Sequence, residues 1–113
     1  MKPIRTYEVT VQGFPPALYS ARSPAKARTR CWRDYCAAYD ATFKRFLQIS
    51  SVRRVEDPPG VGQRITVGGR PATTVFSYSV GGHVHYMCDD SDIIVCSHPL
   101  DISPSPQGSE THD

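Results

Sequence analysis

Apolar and polar residues alternate over residues 4–12, near the start of the chain. Alternation with a period of two predicts a β-strand that has one buried and one solvated face. Gly-Phe-Pro-Pro at residues 13–16 breaks this strand, and residues 17–22 can return beside it, so the pattern predicts a hairpin. One face of the first strand carries Arg5, Tyr7, Val9 and Val11, and the other carries Thr6, Glu8, Thr10 and Gln12.

The pattern then changes to a helical period over residues 23–39. Ser23 is a good N-cap, and Pro24 suits the first helical position, where a missing N–H costs nothing. We expect Trp32 to be largely buried against the first strand. At 100° per residue the predicted buried face carries Ala25, Trp32, Cys36 and Tyr39, with Tyr35 at its edge.

A second, short helix is predicted after a break at residues 40–42, because Phe43, Phe46 and Leu47 follow at i, i+3 and i+4. Residues 50–56 then form a third strand, with Val52 and Val55 as its apolar positions. Residues 1–57 are therefore predicted to be a β-β-α-α-β module, in which a small antiparallel sheet is backed by the main helix.

Pro and Gly at residues 57–62 mark a boundary, after which short strands alternate with Gly or Asp turns. Four strands followed by Pro-Leu-Asp-Ile at residues 99–102 resemble a small SH3-like β-barrel over residues 58–102. The remainder, residues 103–113, is predicted to be a disordered tail. The fold class is α+β. The predicted strands cover residues 63–68, 72–80, 83–88 and 93–98.

Charge is distributed unevenly along the chain, although the formal net charge is only +2. Residues 1–54 carry 11 Lys and Arg against 3 Asp and Glu, whereas residues 55–113 carry 2 against 8. The first half can therefore attract an anionic partner. The alternative is that the two halves attract each other, within one molecule or between copies.

The main helix offers a candidate anion site, because free N–H groups and the positive end of the helix dipole lie at its start. Basic side chains at spacings of four, four and three stand along one side of this helix. The alternative is a solvated basic face that balances the acidic half, for example Asp89, Asp90 or Asp92. The candidate ligand-binding residues are Arg22, Ser23, Lys26, Arg30 and Arg33.

A second candidate lies in the last predicted hairpin, where pairing Cys88 with Ile93 puts His85 opposite Cys96 and His83 opposite His98. Zinc accepts His and Cys ligands. Four side chains that project from one face of a flat sheet do not readily converge on one ion, and a shift of one residue in the strand register would place them on different faces. We therefore expect ordinary His–Cys pairs and no metal. The other side of this hairpin is predicted to be its core face, carrying Val84, Tyr86, Cys88, Ile93 and Val95.

Other classes of function find little support in the sequence. No apolar run is long enough to span a membrane, and the N-terminus lacks the apolar core of a signal peptide, so we expect a protein of the cytoplasm or of a virion. The four Cys are then expected to be buried, reduced thiols. We find no catalytic motif, phosphate loop or EF-hand, and therefore expect no enzymatic activity and no cofactor.

Three segments resemble small proteins encoded by bacteriophages and prophages: Tyr7-Glu-Val, Ala21-Arg-Ser-Pro-Ala-Lys-Ala-Arg28 and Phe43-Lys-Arg-Phe-Leu47. The resemblance covers about residues 7–56 and carries over no catalytic residue. It implies an accessory binding protein for a protein partner or a phosphate-bearing ligand. The alternatives are a virion component that self-associates, such as a head or tail joining piece or a decoration protein, and a nucleic-acid-binding module.

Overall fold

The computed structural model describes residues 2–77 and 84–97, together with the backbone of 102–104. Within these residues the chain has two helices and two antiparallel sheets, which confirms the predicted α+β class. It divides into an N-terminal unit, Lys2–Asp57, and a C-terminal unit that begins at Pro58. The elements are β1 (Arg5–Val11), β2 (Ala17–Ala21), α1 (Pro24–Cys36), α2 (Phe43–Ile49), β3 (Ser50–Val55), β4 (Arg64–Val67), β5 (Arg70–Thr74), β6 (Val84–Cys88), β7 (Val95–Ser97) and β8 (Ile102–Pro104).

Strand β1 is the centre of the N-terminal sheet, whose order is β2-β1-β3. Both neighbours run antiparallel to it, with Tyr7 opposite Tyr19 and Val9 opposite Val52. The predicted alternation is confirmed for Tyr7, Val9 and Val11, which are all buried. Thr6, on the other face, is an exception, because it is also fully buried and donates to Asp57 Oδ1 at 2.6 Å. The core of this unit consists of Tyr7, Val9, Val11, Ala21, Ala27, Cys31 and Phe46.

Both helices begin where the sequence predicts. The Ser23 hydroxyl accepts a hydrogen bond from the Lys26 backbone N–H at 3.2 Å, and Pro24 is the first helical residue. The Thr42 hydroxyl caps α2 in the same way, from the Arg45 N–H at 3.1 Å. Each cap satisfies an N–H that has no partner inside its helix.

The predicted buried face of α1 is only partly correct, because Trp32 and Tyr35 pack against the core but the other three residues of that face do not. Ala25, Cys36 and Tyr39 are exposed, whereas Ala27 and Cys31 are buried. These two side chains are small, and small side chains allow a helix backbone to lie close to the sheet. The helix is therefore turned by about a quarter of a revolution from the orientation that the aromatic residues suggested.

Trp32 is half-buried and does not fill the centre of the core. Its indole Nε1 donates to the Ala41 carbonyl at 3.0 Å, and its ring meets the Phe43 ring edge-on at a centroid distance of 5.3 Å. The fully buried aromatic residue is Phe46 of α2. Trp32 therefore holds the connection between the two helices, while Phe46 fills the core.

Arg28 fixes the corner where α2 passes into β3. Its Nε donates to the Ser50 hydroxyl at 3.0 Å, and its Nη2 donates to the Leu47 and Ser50 carbonyls at 2.7 and 2.6 Å. A planar guanidinium can reach these acceptors together, which an ammonium group cannot do. This side chain therefore has a structural role that charge counting alone does not reveal.

The C-terminal unit is one five-stranded sheet of order β7-β6-β5-β4-β8. The predicted Gly68-Gly69 turn joins β4 to β5, and both glycines have positive φ, at 58° and 80°. Such a pair is typical of a tight hairpin turn. The buried cluster on this sheet contains Ile65, Ala72, Tyr86 and Cys88.

The predicted register of the β6–β7 hairpin is confirmed, because His85 lies opposite Cys96 and Tyr86 opposite Val95. Its predicted core face is only partly correct. Tyr86 is buried, as is Cys88, but Ile93 is 70% exposed and Val95 38%. The reason is that β7 is short and lies at the end of the sheet order, where little of the core reaches it.

The sheet of the C-terminal unit is open over the described residues, so closure into an SH3-like barrel stays a prediction. Strand β5 ends at Thr74 and not at residue 80 as predicted. Ser103 and Pro104 belong to β8, which pairs with β4. The rest of the predicted tail, residues 105–113, lies outside the described residues.

Candidate functional site

The structure places three of the five predicted ligand-binding residues in local hydrogen bonds. Arg22 is only 8% exposed and donates from Nη1 to the Lys2 carbonyl at 2.7 Å. Ser23 caps α1, and Arg30 donates from Nη1 to the Ser20 carbonyl. These contacts give Arg22, Ser23 and Arg30 structural roles, while ligand binding by them stays a prediction.

Lys26 and Arg33, the other two predicted residues, are exposed on α1. They are seven residues apart, so they lie on the same side of the helix two turns from each other. Lys44, Arg45 and Arg54 are also exposed in the N-terminal unit. The solvated cations are therefore spread over α1, α2 and β3 and do not form a single stripe.

Few carboxylates offset these cations in the N-terminal unit, which carries 11 Lys and Arg against 5 Asp and Glu. Glu8 accepts a hydrogen bond from Arg53 at 2.9 Å, and this pair is largely solvated on the arginine side. The formal charge of the unit is therefore +6. Such a charge favours encounters with anionic partners.

The acidic turn after β6 is paired within its own sheet. Asp89 forms two hydrogen bonds with Arg64, at 2.6 and 2.7 Å, and Asp90 lies 2.7 Å from Arg70. Asp89 and Asp90 therefore already have partners within the C-terminal unit. This pairing weakens the alternative in which they neutralise the basic helix.

A surface pocket, which we call the aromatic pocket, opens between the β1–β2 hairpin and the C-terminal half of α1. It encloses about 280 Å³. Two of its side chains are exposed although they are large and apolar, Phe14 at 42% and Tyr39 at 49%. The pocket is lined by Val9, Val11, Phe14, Pro15, Ala17, Tyr19, Cys31, Asp34, Tyr35, Ala38 and Tyr39.

Ring contacts hold the aromatic side chains of this pocket in place. Phe14 meets Tyr35 edge-on at a centroid distance of 5.9 Å and Tyr39 at 5.4 Å. Tyr35 and Tyr39 are stacked at 4.9 Å. Such pairs stabilise by about 0.5–1.5 kcal/mol beyond their burial. The wall is therefore ordered before any ligand arrives.

The polar groups of the aromatic pocket are linked to one another. The Tyr19 hydroxyl donates to Asp34 Oδ2 at 2.7 Å. Burial raises the pKa of the Tyr19 phenol, and the hydrogen bond to Asp34 raises it further. Burial also raises the pKa of the Cys31 thiol. Both groups therefore stay protonated at neutral pH, so neither adds negative charge to the pocket.

A second pocket, of about 340 Å³, lies in the C-terminal unit and is more polar. Thr74 shapes one side of it by donating from Oγ1 to the Gly60 carbonyl at 2.8 Å. His85 also contributes to the lining. Other lining residues are Pro58, Pro59, Val61, Val75, Phe76, Ser77 and Val84.

The candidate zinc ligands are described only in part. His85 and Cys96 face each other across β6 and β7, whereas His83 and His98 lie outside the described residues. Within the described ranges, no three His, Cys, Asp or Glu side chains are grouped so that they could hold a metal ion. Zinc binding by the full set of four is therefore neither supported nor contradicted.

All four cysteines are free thiols. The expectation of burial holds for Cys31 and Cys88 but is wrong for Cys36 and Cys96, which are exposed. Cys36 follows the rotation of α1, and Cys96 lies on the edge strand β7. Because exposed thiols are accessible, these two are the ones available for reaction.

Sequence reasoning missed the aromatic pocket because it assigned the helix aromatics to the core. One feature could have indicated it. Phe14 is a large apolar residue inside a Gly-Phe-Pro-Pro turn, where polar or small residues usually stand. An apolar side chain at such a position has no core to enter and marks a surface contact.

Over the part of the chain that the structure describes, neither helix has the length and apolar content needed to cross a bilayer. Comparisons with models of known protein families, with curated proteins and with solved structures gave no match.

Proposed function

We propose that this chain is a non-enzymatic accessory binding protein of the kind encoded by bacteriophages, acting in the host cytoplasm or in the virion. The N-terminal unit binds a protein or ligand that bears phosphate or other anionic groups. The observation that carries the proposal is the pair of exposed cations on α1, Lys26 and Arg33, in a unit of formal charge +6.

The basic residues fall into two groups, those that hold the local structure and those that are exposed to a ligand. Arg22 and Arg30 hold local structure through backbone carbonyls, so their substitution damages the fold as well as any site. Lys26 and Arg33 are exposed on the same side of α1, where an anionic ligand can reach both side chains. These two side chains are therefore the ones to test for binding.

The test is titration of labelled tripolyphosphate into the wild type and into a Lys26→Gln/Arg33→Gln variant. Each exposed charge contact contributes about 0.5–1 kcal/mol, so the double variant should bind about 5- to 30-fold more weakly. The matched control is Lys44→Gln/Arg45→Gln, which removes the same charge from α2. An equal loss in both variants, or no binding by the wild type, would refute the assignment to α1.

A virion component is the second candidate function. It is favoured by the opposite charges of the two units, since the C-terminal unit carries 2 Lys and Arg against 6 Asp and Glu. Opposite patches on one chain can join copies head to tail. Sedimentation velocity should then show larger assemblies at about 20 mM salt that dissociate at about 500 mM. A monomer at both salt concentrations would remove this candidate.

Nucleic-acid binding is less well supported. Proteins that bind single strands present aromatic rings on which bases stack beside basic residues. Here Phe14, Tyr35 and Tyr39 line a pocket whose one charged residue among the described lining is Asp34, so a carboxylate and not a cation lies beside the rings. A duplex and a single-stranded oligonucleotide therefore belong in the titration as competitors. The binding free energy per phosphate group should be smaller for these oligonucleotides than for tripolyphosphate.

We also propose that the C-terminal unit is an SH3-like barrel. The order β7-β6-β5-β4-β8 supports this, because four consecutive strands form a meander and the last strand returns beside the first of them. Return of the final strand to the first is what closes a small barrel. An experimental structure of the unit tests this proposal. Pairing between β7 and β8 would show a closed barrel, and the absence of this pairing would show an open sheet.

A further inference from the structure

The aromatic pocket combines two properties, an aromatic wall and a single negative charge. Its wall is made of rings held against one another, with centroid distances of 4.9 to 5.9 Å among Phe14, Tyr35 and Tyr39. Among the described lining residues only Asp34 carries a formal charge, and this charge is negative. Aromatic faces are themselves negatively polarised, so both properties attract the same kind of group.

We propose that the aromatic pocket binds an alkylammonium group, that is, a positive charge on an apolar stem. A cation within about 6 Å of an aromatic face is attracted by the ring quadrupole, and quaternary ammonium groups are recognised in this way. The Asp34 carboxylate adds a direct charge attraction. The apolar lining, with Val9, Val11 and Ala17, receives the stem.

The position of Asp34 is set before the ligand binds. Tyr19 donates to its Oδ2 at 2.7 Å, which orients the carboxylate and leaves Oδ1 for a further partner. Tyr19 remains a donor at neutral pH because burial keeps the phenol protonated. The carboxylate therefore needs little reorganisation on binding, which favours affinity.

Other classes of ligand fit the pocket less well. An anion would be repelled by the Asp34 carboxylate. A neutral apolar ligand would cover the carboxylate without pairing it, which is unfavourable. The volume of about 280 Å³ lies at the lower end of ligand pockets, which suits a side chain or a small ammonium compound and not a nucleotide.

The positive charge of the N-terminal unit does not remove this preference. Arg33 precedes Asp34 in the sequence but points about 100° away around the helix. Arg30 is outside the lining, and its guanidinium donates to the Ser20 carbonyl. At physiological salt, charges more than about 8 Å away are largely screened, so contacts inside the pocket decide.

Calorimetric titration of the full chain with choline tests the proposal, with 3,3-dimethylbutanol as the neutral ligand of the same shape. Choline should bind at least tenfold more tightly than the alcohol. Asp34→Asn and Tyr39→Leu should each weaken choline binding at least fivefold. Asp40→Asn removes the same charge from an exposed position outside the pocket, and it should bind choline like the wild type.

A further titration, with a peptide, identifies the source of the ammonium group. A peptide containing trimethyllysine that binds tighter than choline indicates a protein partner, and equal affinity indicates a free small molecule. Equal binding of choline and the alcohol would overturn the proposal, as would wild-type choline affinity in both pocket variants. Thermal melts confirm that the variants are folded. Because Lys26 and Arg33 lie outside the pocket, their variants should leave choline binding unchanged.

Discussion

Replacing Phe46 by alanine should destabilise the N-terminal unit far more than replacing Trp32, although tryptophan is the larger side chain. Phe46 is fully buried, and it packs against Tyr35 with a ring-centroid distance of 5.6 Å. Removing a buried phenylalanine costs about 3–5 kcal/mol through lost burial and the cavity that remains. For a unit of this size the total stability is about 3–8 kcal/mol, so this loss is a large share of it.

Trp32→Ala should cost less, about 2–3 kcal/mol. The change removes one hydrogen bond, to the Ala41 carbonyl, which contributes about 1 kcal/mol. It also removes the edge contact with Phe43, which contributes about 0.5–1.5 kcal/mol. The remaining loss is the burial of a side chain that, unlike Phe46, is not fully buried in the folded chain.

Urea denaturation measures both effects. Trp32 is the single tryptophan of the chain and lies in the N-terminal unit, so its fluorescence follows that unit in the Phe46→Ala variant. Far-UV circular dichroism follows the Trp32→Ala variant. Phe46→Leu serves as the conservative control and should cost less than about 1.5 kcal/mol. A loss below about 1 kcal/mol for Phe46→Ala, or a larger loss for Trp32→Ala, would show that the core is wrongly assigned.

Three further predictions concern single side chains of the N-terminal unit and the thiols. Burial raises the pKa values of Tyr19 and Cys31 from their ordinary 10.0 and 9.0, so stability is full below about pH 9 and falls as pH rises. In thermal melts at pH 8–11, the loss of stability with rising pH should be smaller in Tyr19→Phe than in the wild type. The control Tyr39→Phe should lose stability as the wild type does. Arg28→Lys should lower the free energy of unfolding by about 1–3 kcal/mol, because the hydrogen bonds of the guanidinium to Leu47 and Ser50 are lost. The control Arg33→Lys, at an exposed position, should change it by less than about 0.5 kcal/mol. Equal effects of the two variants in urea denaturation would contradict the role of Arg28. Mass-resolved alkylation at pH 8 should modify two thiols quickly and two slowly, and rapid modification of all four would contradict the burial. The fast pair is Cys36 and Cys96, and the slow pair is Cys31 and Cys88.

Local rules predicted much of the backbone. The alternation of β1, the caps at Ser23 and Thr42 and the register of the β6–β7 hairpin each depend on residues close in sequence. The turn at Gly68-Gly69 is likewise a local feature, since its positive φ values require little more than the glycines themselves. Such features depend little on the rest of the fold, and the structure contains each of them, although Thr6 departs from the alternation of β1.

The orientation of α1 could not be predicted in the same way, because it depends on what the helix meets. The aromatic face has the greater apolar area, but close approach to β1 and β2 needs the small face with Ala27 and Cys31. Packing therefore overrode hydrophobicity. The consequence was large, since it moved Tyr39 from the predicted core to the rim of the aromatic pocket.

The candidate site was predicted least well, and Arg30 shows why. A sequence shows that a residue is basic, but not whether its charge meets solvent or a backbone carbonyl. Arg22 and Arg30 donate to carbonyls of their own unit and are not fully exposed, while Lys26 is exposed. Spacing along a helix identifies which side chains share a side, and only the tertiary structure identifies their partners.

The return of β8 to β4 has a consequence for synthesis on the ribosome. Every paired strand of the N-terminal sheet lies within the first 57 residues, whereas the C-terminal sheet pairs Ile65 with Pro104. At about 5–20 residues per second, the ribosome needs about 2 to 8 seconds between Ile65 and Pro104. The N-terminal unit can therefore fold before β8 has been synthesised. During that time one edge of β4 has no paired strand.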